Sequence, residues 1–272
     1  MTMENEQPGF IPLAGGANFR DLGGYATPEG SVKTGEVYRS GRLAGLTDTD
    51  LATIEELGLR TVVTLLTADD VEHYGPDRLP VGARLVELPI DSEMATELAS
   101  RSPPALASGD FSSIPPALNL EIHRLLVVDG REQYAELLRL IADPANRPLV
   151  FHCSHGVHRT GTGAAIVLSS LGVDWETVRN DYLVSNTVRA AEVRHRLSEM
   201  RAVAAKARGV EPADVDMANM EAFMVQDGSY IDASREQMVA DCGTVEGYLQ
   251  NGLGLSETDR GRLRAQLVTG AP

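Results

Sequence analysis

The stretch "FHCSHGVHRTGTG", Phe151–Gly163, decides how the rest of this chain is read. The residues leading into it, "RPLVFHC" from Arg147 to Cys153, are apolar enough for a buried strand. Those following Arg159, "TGTGAAIVLSSLG", read as a helix. Between them lies a short polar loop containing Cys153, three histidines and Arg159. Three readings compete. Cys153 and Arg159 could share one phosphate-gripping loop; His152, His155, His158 and Cys153 could hold a metal; or a buried strand could simply end in a polar turn.

Outward from this unit, strands alternate with helices. "EVYRSG" (36–41), "RTVVTLL" (60–66) and "ARLVELPI" (83–90) read as strands, the second β-branched and apolar as in a strand covered on both faces. "TDTDLATIEELGL" reads as a helix with Thr47 as N-cap and Gly58 near its stop. "GREQYAELLRLIAD" reads as another, and helical patterns continue over roughly 159–171, 175–185 and 187–207. The fold class expected is α/β: a central, mostly parallel sheet of four to five strands flanked by helices, with a helical C-terminal half. Residues 1–272 read as one domain. Within it, 92–120 loses all periodicity around two Pro-Pro pairs and many serines, and is the expected lid insertion. In parallel sheets ligands bind at the carboxyl ends of strands, where Cys153 falls, with Asp91 just past another strand.

Composition narrows the function classes. With 43% hydrophobic and 23% charged residues the chain is an ordinary globular one, and a net charge of −15 disfavours nucleic acid as a partner. No apolar run approaches the ~18 residues that span a bilayer, so no membrane insertion is expected. Two cysteines, Cys153 and Cys242, make no disulfide framework, and "MTMENEQPGF" lacks a basic, apolar leader. The expectation is a cytoplasmic protein with free thiols. Oligomeric state is not legible.

The loop's residue types suit one chemistry. A strand–loop–helix of this length can curl its amides around a tetrahedral oxyanion, with the helix N-terminus adding positive charge. The same field lowers the pKa of a cysteine at the loop's base and populates its thiolate. Arg159 can grip two phosphate oxygens in a bidentate fork, and the Thr160 hydroxyl can donate toward the sulfur. The expected phosphate-binding set is Ser154, His155, Gly156, Val157, His158, Arg159 and Thr160. No metal and no cofactor are expected, because the histidines lie on one tight loop without a second Cys/His cluster.

Cys153 through Arg159 is a C-x5-R pattern. Together with "ANFRDLGGY" (17–25), "YRSGRLAGL" (38–46) and "DYLVSN" (181–186), it resembles the cysteine-dependent protein tyrosine phosphatase superfamily, in its bacterial tyrosine-phosphatase-like branch. The resemblance runs from about residue 15 to 268. It implies the cysteine phosphatase fold and attack of Cys153 on phosphorus, giving a phosphocysteine. Arg159 would hold the equatorial oxygens, and Asp91 of "LPID" would be the acid that protonates the leaving oxygen. The stretch after Asp91 falls where this branch carries a lid.

The sequence also departs from the branch. Lys-Asp commonly precedes the loop arginine; here Val157 and His158 stand there, which makes His158 the second candidate acid. Asp-Leu-Arg is common where this chain has Thr64-Leu65-Leu66. These losses predict a neutral, apolar-lined approach to the loop. The expected partner is a phosphorylated substrate, either a phosphoprotein (tyrosine-type or dual specificity) or a small sugar or nucleoside phosphate. A non-enzymatic phosphate-binding protein is the outside alternative. Arg20 and Asp21 are expected to pair with each other, Asp181 and Asn186 to be scaffold behind the loop, and Cys242 to be a helix residue of the core.

Overall fold

A computed structural model describes residues 9–92, 105, 107–115 and 117–270. Its main sheet is built from β1 (Arg20–Asp21), β4 (Val37–Ser40), β7 (Leu149–His152), β5 (Thr61–Thr64) and β6 (Arg84–Glu87), in that spatial order. β4, β7, β5 and β6 run parallel, and β1 pairs antiparallel with β4. A small second sheet joins β2 (Ala26–Thr27), β3 (Gly30–Val32) and β8 (Val268–Gly270). The α/β class with a five-stranded, mostly parallel sheet and a helical C-terminal half is as expected.

Strand alternation divides the core in two. Val62 and Val150 face a cluster with Phe19, Tyr38, Leu43, Leu46, Ile54 and Leu59. Their neighbours Val63 and Phe151 face the opposite way, into the larger core under the helices. All four residues of β4, β5 and β7 are buried, so these strands are covered on both faces. β6 is different: its "RLVE" is mostly exposed, as suits an edge strand blunted by charge.

The helix that follows the loop, His158–Ser170, runs through the centre of the molecule with ten of its residues buried. A helix apolar on all sides has to be enclosed. Helices Leu118–Asp129, Trp175–Val188 and Gly228–Cys242 enclose it. The helix after β4, Asp48–Glu55, has Thr47 as its N-cap, as its sequence predicts, and Asp50 completes a capping box with it.

Three elements differ from expectation. Ala68–Tyr74 is a short helix with its own capping box, Thr67 with Asp70, where seven residues give too little periodicity to notice. Helix Leu118–Asp129 begins inside 92–120, a stretch without periodicity. The small sheet escaped because its strands are two or three residues long and β8 lies more than 230 positions after β3. Of the expected lid, residues 93–104, 106 and 116 lie outside the described residues. In its described part Ala105, Phe111, Ile114 and Leu118 are buried in the large core. Among the described residues no helix is long and apolar enough to cross a membrane.

Candidate active site

Register brings the site together. Ser40 and Thr64 lie level with His152 across the three central strands, so three chain exits meet at one carboxyl edge. From there β7 leads directly into Cys153, which is buried. The Arg42 amide donates to the Ser154 carbonyl at 3.1 Å, and the Leu65 amide to the His152 carbonyl at 2.8 Å, locking the loop's first residues. Gly156 turns the loop with φ +66°; a Cβ there would come within 2.7 Å of the Ser40 carbonyl oxygen and the Gly41 nitrogen. Glycine is required on both counts.

Burial pushes the Cys153 thiol up, but the Arg159 charge, the Thr160 hydroxyl and the amides of Thr160 and Gly156 outweigh it and leave the thiol more acidic than usual. Val157, the helix N-cap, makes no side-chain capping bond, so the first-turn amides are not taken up by a cap. Arg159 is held from its own side. Its Nη1 donates to the Leu65 carbonyl at 3.0 Å and to Asp70 Oδ2 at 2.6 Å, its Nη2 to Ser154 Oγ at 3.5 Å, and the Tyr134 hydroxyl donates to its carbonyl at 2.9 Å. Burial works to raise the Asp70 carboxyl, yet Arg159 and the Thr67 capping bonds hold it below its ordinary value, ionised against the guanidinium.

Behind the loop lies a buried polar network. Arg39 Nη2 donates to the Gly156 carbonyl at 2.8 Å and Asn18 Nδ2 to the same oxygen at 2.7 Å. Both donors draw the carbonyl away from the loop's interior, which turns the N–H of the same peptide plane, that of Val157, the opposite way. Asn18 itself has φ +60°. Asp181 accepts from Arg39 Nη1 at 2.5 Å, from Arg20 Nε at 3.2 Å and from the Tyr25 hydroxyl at 2.9 Å. Arg20 also donates to Asn18 Oδ1. The expected Arg20–Asp21 pair is therefore corrected: Asp21 instead accepts the amides of Gly23 and Gly35, because neighbours along a strand face opposite ways.

Residues 11–269 match the tyrosine phosphatase family. The chain belongs to that family. Protein H16_A0669 of Cupriavidus necator is 31% identical over 93% of this chain and 86% of its own length. The triple specificity protein phosphatase PtpB of Mycobacterium tuberculosis is 28% identical over 94% of this chain and 98% of its own. Among solved structures, Pseudomonas aeruginosa TpbA aligns over 68% of this chain and 87% of its own, at 20% identity and a TM-score of 0.34.

In this phosphatase the three histidines of the loop turn to three different partners. His152 Nε2 lies 2.9 Å from Asp77 Oδ2, beneath the loop. His155 Nε2 accepts from Arg196 Nη1 at 2.5 Å, while its Nδ1 lies 3.2 Å from Ser154 Oγ. Burial, then Arg189, Arg196 and Arg42, push His155 well below its ordinary pKa, so it is a neutral part of the rim. His158 packs edge-on to His123, with ring centroids 5.5 Å apart, and against Phe223. Burial and the nearby Arg189 and Arg159 lower its pKa to about 4. Among the described residues no group of three His, Cys, Asp or Glu side chains is placed to hold a metal ion.

Asp91 is exposed and lies just beyond β6. The Ile90 amide before it donates to the Leu65 carbonyl at 3.3 Å, the same oxygen that takes Arg159, so Asp91 stands near the loop's mouth. Cys242 is a free thiol ending helix Gly228–Cys242, half-buried against the large core.

The approach to the family's loop is not the neutral one expected from the missing Lys-Asp and Asp-Leu-Arg. Arg42, Arg189 and Arg196 all lie close enough to bear on His155. Two of them come from the chain 30 or more positions after the loop, where no local motif announces them. Sequence reasoning also missed Asp70, Asp77 and Arg39. The only signal for Asp70 was the T-x-x-D capping box, which reads equally well as a helix start.

Proposed function

We propose that this chain is a cysteine-dependent phosphomonoesterase working through a phosphocysteine, with aryl phosphates of the phosphotyrosine type as its basic substrates. The observation that carries this reading is a buried thiol made acidic by Arg159, Thr160 and loop amides that would also bind the phosphate. Cys153 Sγ attacks phosphorus in line; the S–P bond forms as the P–O ester bond breaks. Arg159 and the amides from Ser154 to Thr160 take the three equatorial oxygens, where negative charge is greatest. Asp91 gives its proton to the departing oxygen. A water then attacks phosphorus, Asp91 takes its proton back, the S–P bond breaks, and inorganic phosphate leaves with the thiolate restored.

Asp91 rather than His158 is assigned the acid. The His158 ring is packed against His123 and Phe223, whereas Asp91 is exposed just beyond β6, where a leaving oxygen would depart. The place of His158 is structural, at the start of the central helix.

Turnover of p-nitrophenyl phosphate tests the assignment. Cys153→Ser is expected to abolish it and to eliminate the acid-quenchable phosphoenzyme; turnover at the wild-type rate would overturn the mechanism. Asp91→Asn is expected to lose the alkaline limb of the kcat profile, and an unchanged profile would remove Asp91 from the acid's role.

A further inference from the structure

The segment that carries Asp91 is tied on both sides. Before it, the Leu88 amide donates to the Thr64 carbonyl at 2.8 Å and the Ile90 amide to the Leu65 carbonyl at 3.3 Å. After it, the Ser92 hydroxyl donates to Asp129 Oδ2 at 2.5 Å. Ile90 and Ser92 are buried and Asp91 between them is exposed, the alternation of an extended chain.

Asp129 sits where its own helix does not favour it. It is the last residue of helix Leu118–Asp129, an end whose dipole prefers a cation to a carboxylate. Its carboxylate serves a residue 37 positions away, in a bond strengthened by the charge on the acceptor. The support behind it is rigid. Gly130 follows directly, and a Cβ there would lie 2.7 Å from both the Leu126 carbonyl oxygen and the Tyr134 ring. The Val127 carbonyl takes the Tyr248 hydroxyl at 2.6 Å. Tyr134, fully buried on the next helix, Arg131–Ala142, donates its hydroxyl to the Arg159 carbonyl at 2.9 Å. One helix junction therefore holds the phosphate-gripping arginine through Tyr134 and the acid's segment through Ser92. The Leu65 carbonyl joins the same two from the other side, accepting from the Ile90 amide and from Arg159 Nη1.

We propose that Asp129 is a positioning residue for the leaving-group acid: through Ser92 it fixes the backbone on which Asp91 stands, at a set distance from the oxygens held by Arg159. This rests on the reading of Asp91 as the acid. Asp129 acts on Ser92 and not on the substrate. Its effect reaches the chemistry because an acid transfers its proton only within hydrogen-bond reach of the departing oxygen. The poorer the leaving group, the more the rate depends on that placement.

The test is a ratio measured on the full chain: kcat/KM for phenyl phosphate over kcat/KM for dinitrophenyl phosphate. Phenolate leaves poorly and needs the acid's proton, dinitrophenolate leaves without it, and kcat/KM covers the step in which the ester bond breaks. A variant that merely loses folded protein or phosphate affinity lowers both values alike, and the ratio cancels the loss. Asp129→Ala and Ser92→Ala are each expected to lower the ratio about tenfold. The double variant is expected to fall no further than either single one, since both remove the same bond. Asp129→Asn keeps an acceptor for the Ser92 hydroxyl and is expected to retain most of the ratio. Asp129 is exposed, so its truncation leaves the core intact. A ratio unchanged in both alanine variants, or losses that add in the double variant, would overturn the proposal. Asp91→Asn is expected to lower the ratio by about a hundredfold. No loss there would remove Asp91 as the acid and the proposal with it, whereas a loss there without one in either alanine variant would strike the role of Asp129 alone.

Discussion

Replacing Asp181 by Asn removes one carboxylate from between two arginines that have no access to water. Arg39 and Arg20 are 0% and 1% exposed, and Asp181 is 2%. Burial works to raise the Asp181 carboxyl, but the charges and hydrogen bonds of Arg20 and Arg39, with the Tyr25 hydroxyl, hold it down at about 2. From its ordinary 3.8, that difference amounts to about 2–3 kcal/mol at ~1.36 kcal/mol per pH unit. Leaving buried cations without their partner costs about 3–5 kcal/mol in comparable cases. Together these set an expected loss of about 3 kcal/mol for Asp181→Asn at pH 7, or ~6–12 °C in melting temperature for a chain of this size. The pH dependence gives a sharper check. A carboxyl held below its unfolded value contributes stability that is full above pH ~4 and lost as pH falls through ~2. Asn does not titrate, so the gap between the two proteins, read by urea denaturation, should narrow from pH 4 downward, with roughly half of the ionisation part gone by pH 3. A gap below about 1 kcal/mol at pH 7, or one that is as wide at pH 3, would refute the account of the network as a charge-balanced support.

Two further outcomes follow from the loop itself. Asp70→Asn takes the ionised partner from Arg159 Nη1 and is expected to lower kcat/KM for p-nitrophenyl phosphate by roughly tenfold to a hundredfold, the value of one charge-assisted hydrogen bond; an unchanged kcat/KM would mean that Arg159 needs no such holder. Since Arg159 heads the groups that acidify Cys153, the rate of iodoacetamide inactivation should reach its midpoint below the pH of an ordinary thiol. In Arg159→Gln that midpoint should move upward, and a midpoint that stays in place would assign the acidity to the amides alone.

Much of the fold was legible in short stretches. A β-branched run marked β5 as a strand buried on both faces, an apolar run marked β7 as a strand, and Thr47 marked a helix start, because burial and capping leave periodic or positional traces over a few residues. Cys153, Gly156 and Arg159 were legible for the same reason: one strand–loop–helix brings them together. What surrounds them was not. Asp70 could be read only as a capping residue, and its second bond, to Arg159 from 89 positions away, leaves no local trace. The Arg20–Asp21 expectation failed because adjacency along a strand separates side chains rather than pairing them.

The sequence by itself determined the local geometry at the loop's centre, since Cys153 and Arg159 are held six positions apart by a backbone that Gly156 alone can turn. The tertiary structure decided the electrostatics around that centre. Parallel pairing of β4, β5 and β7 places Arg39 behind the Gly156 carbonyl, and the packing of the helices after the loop sets Arg189 and Arg196 at its rim. Charge acts through distance in space, and only the folded chain sets those distances.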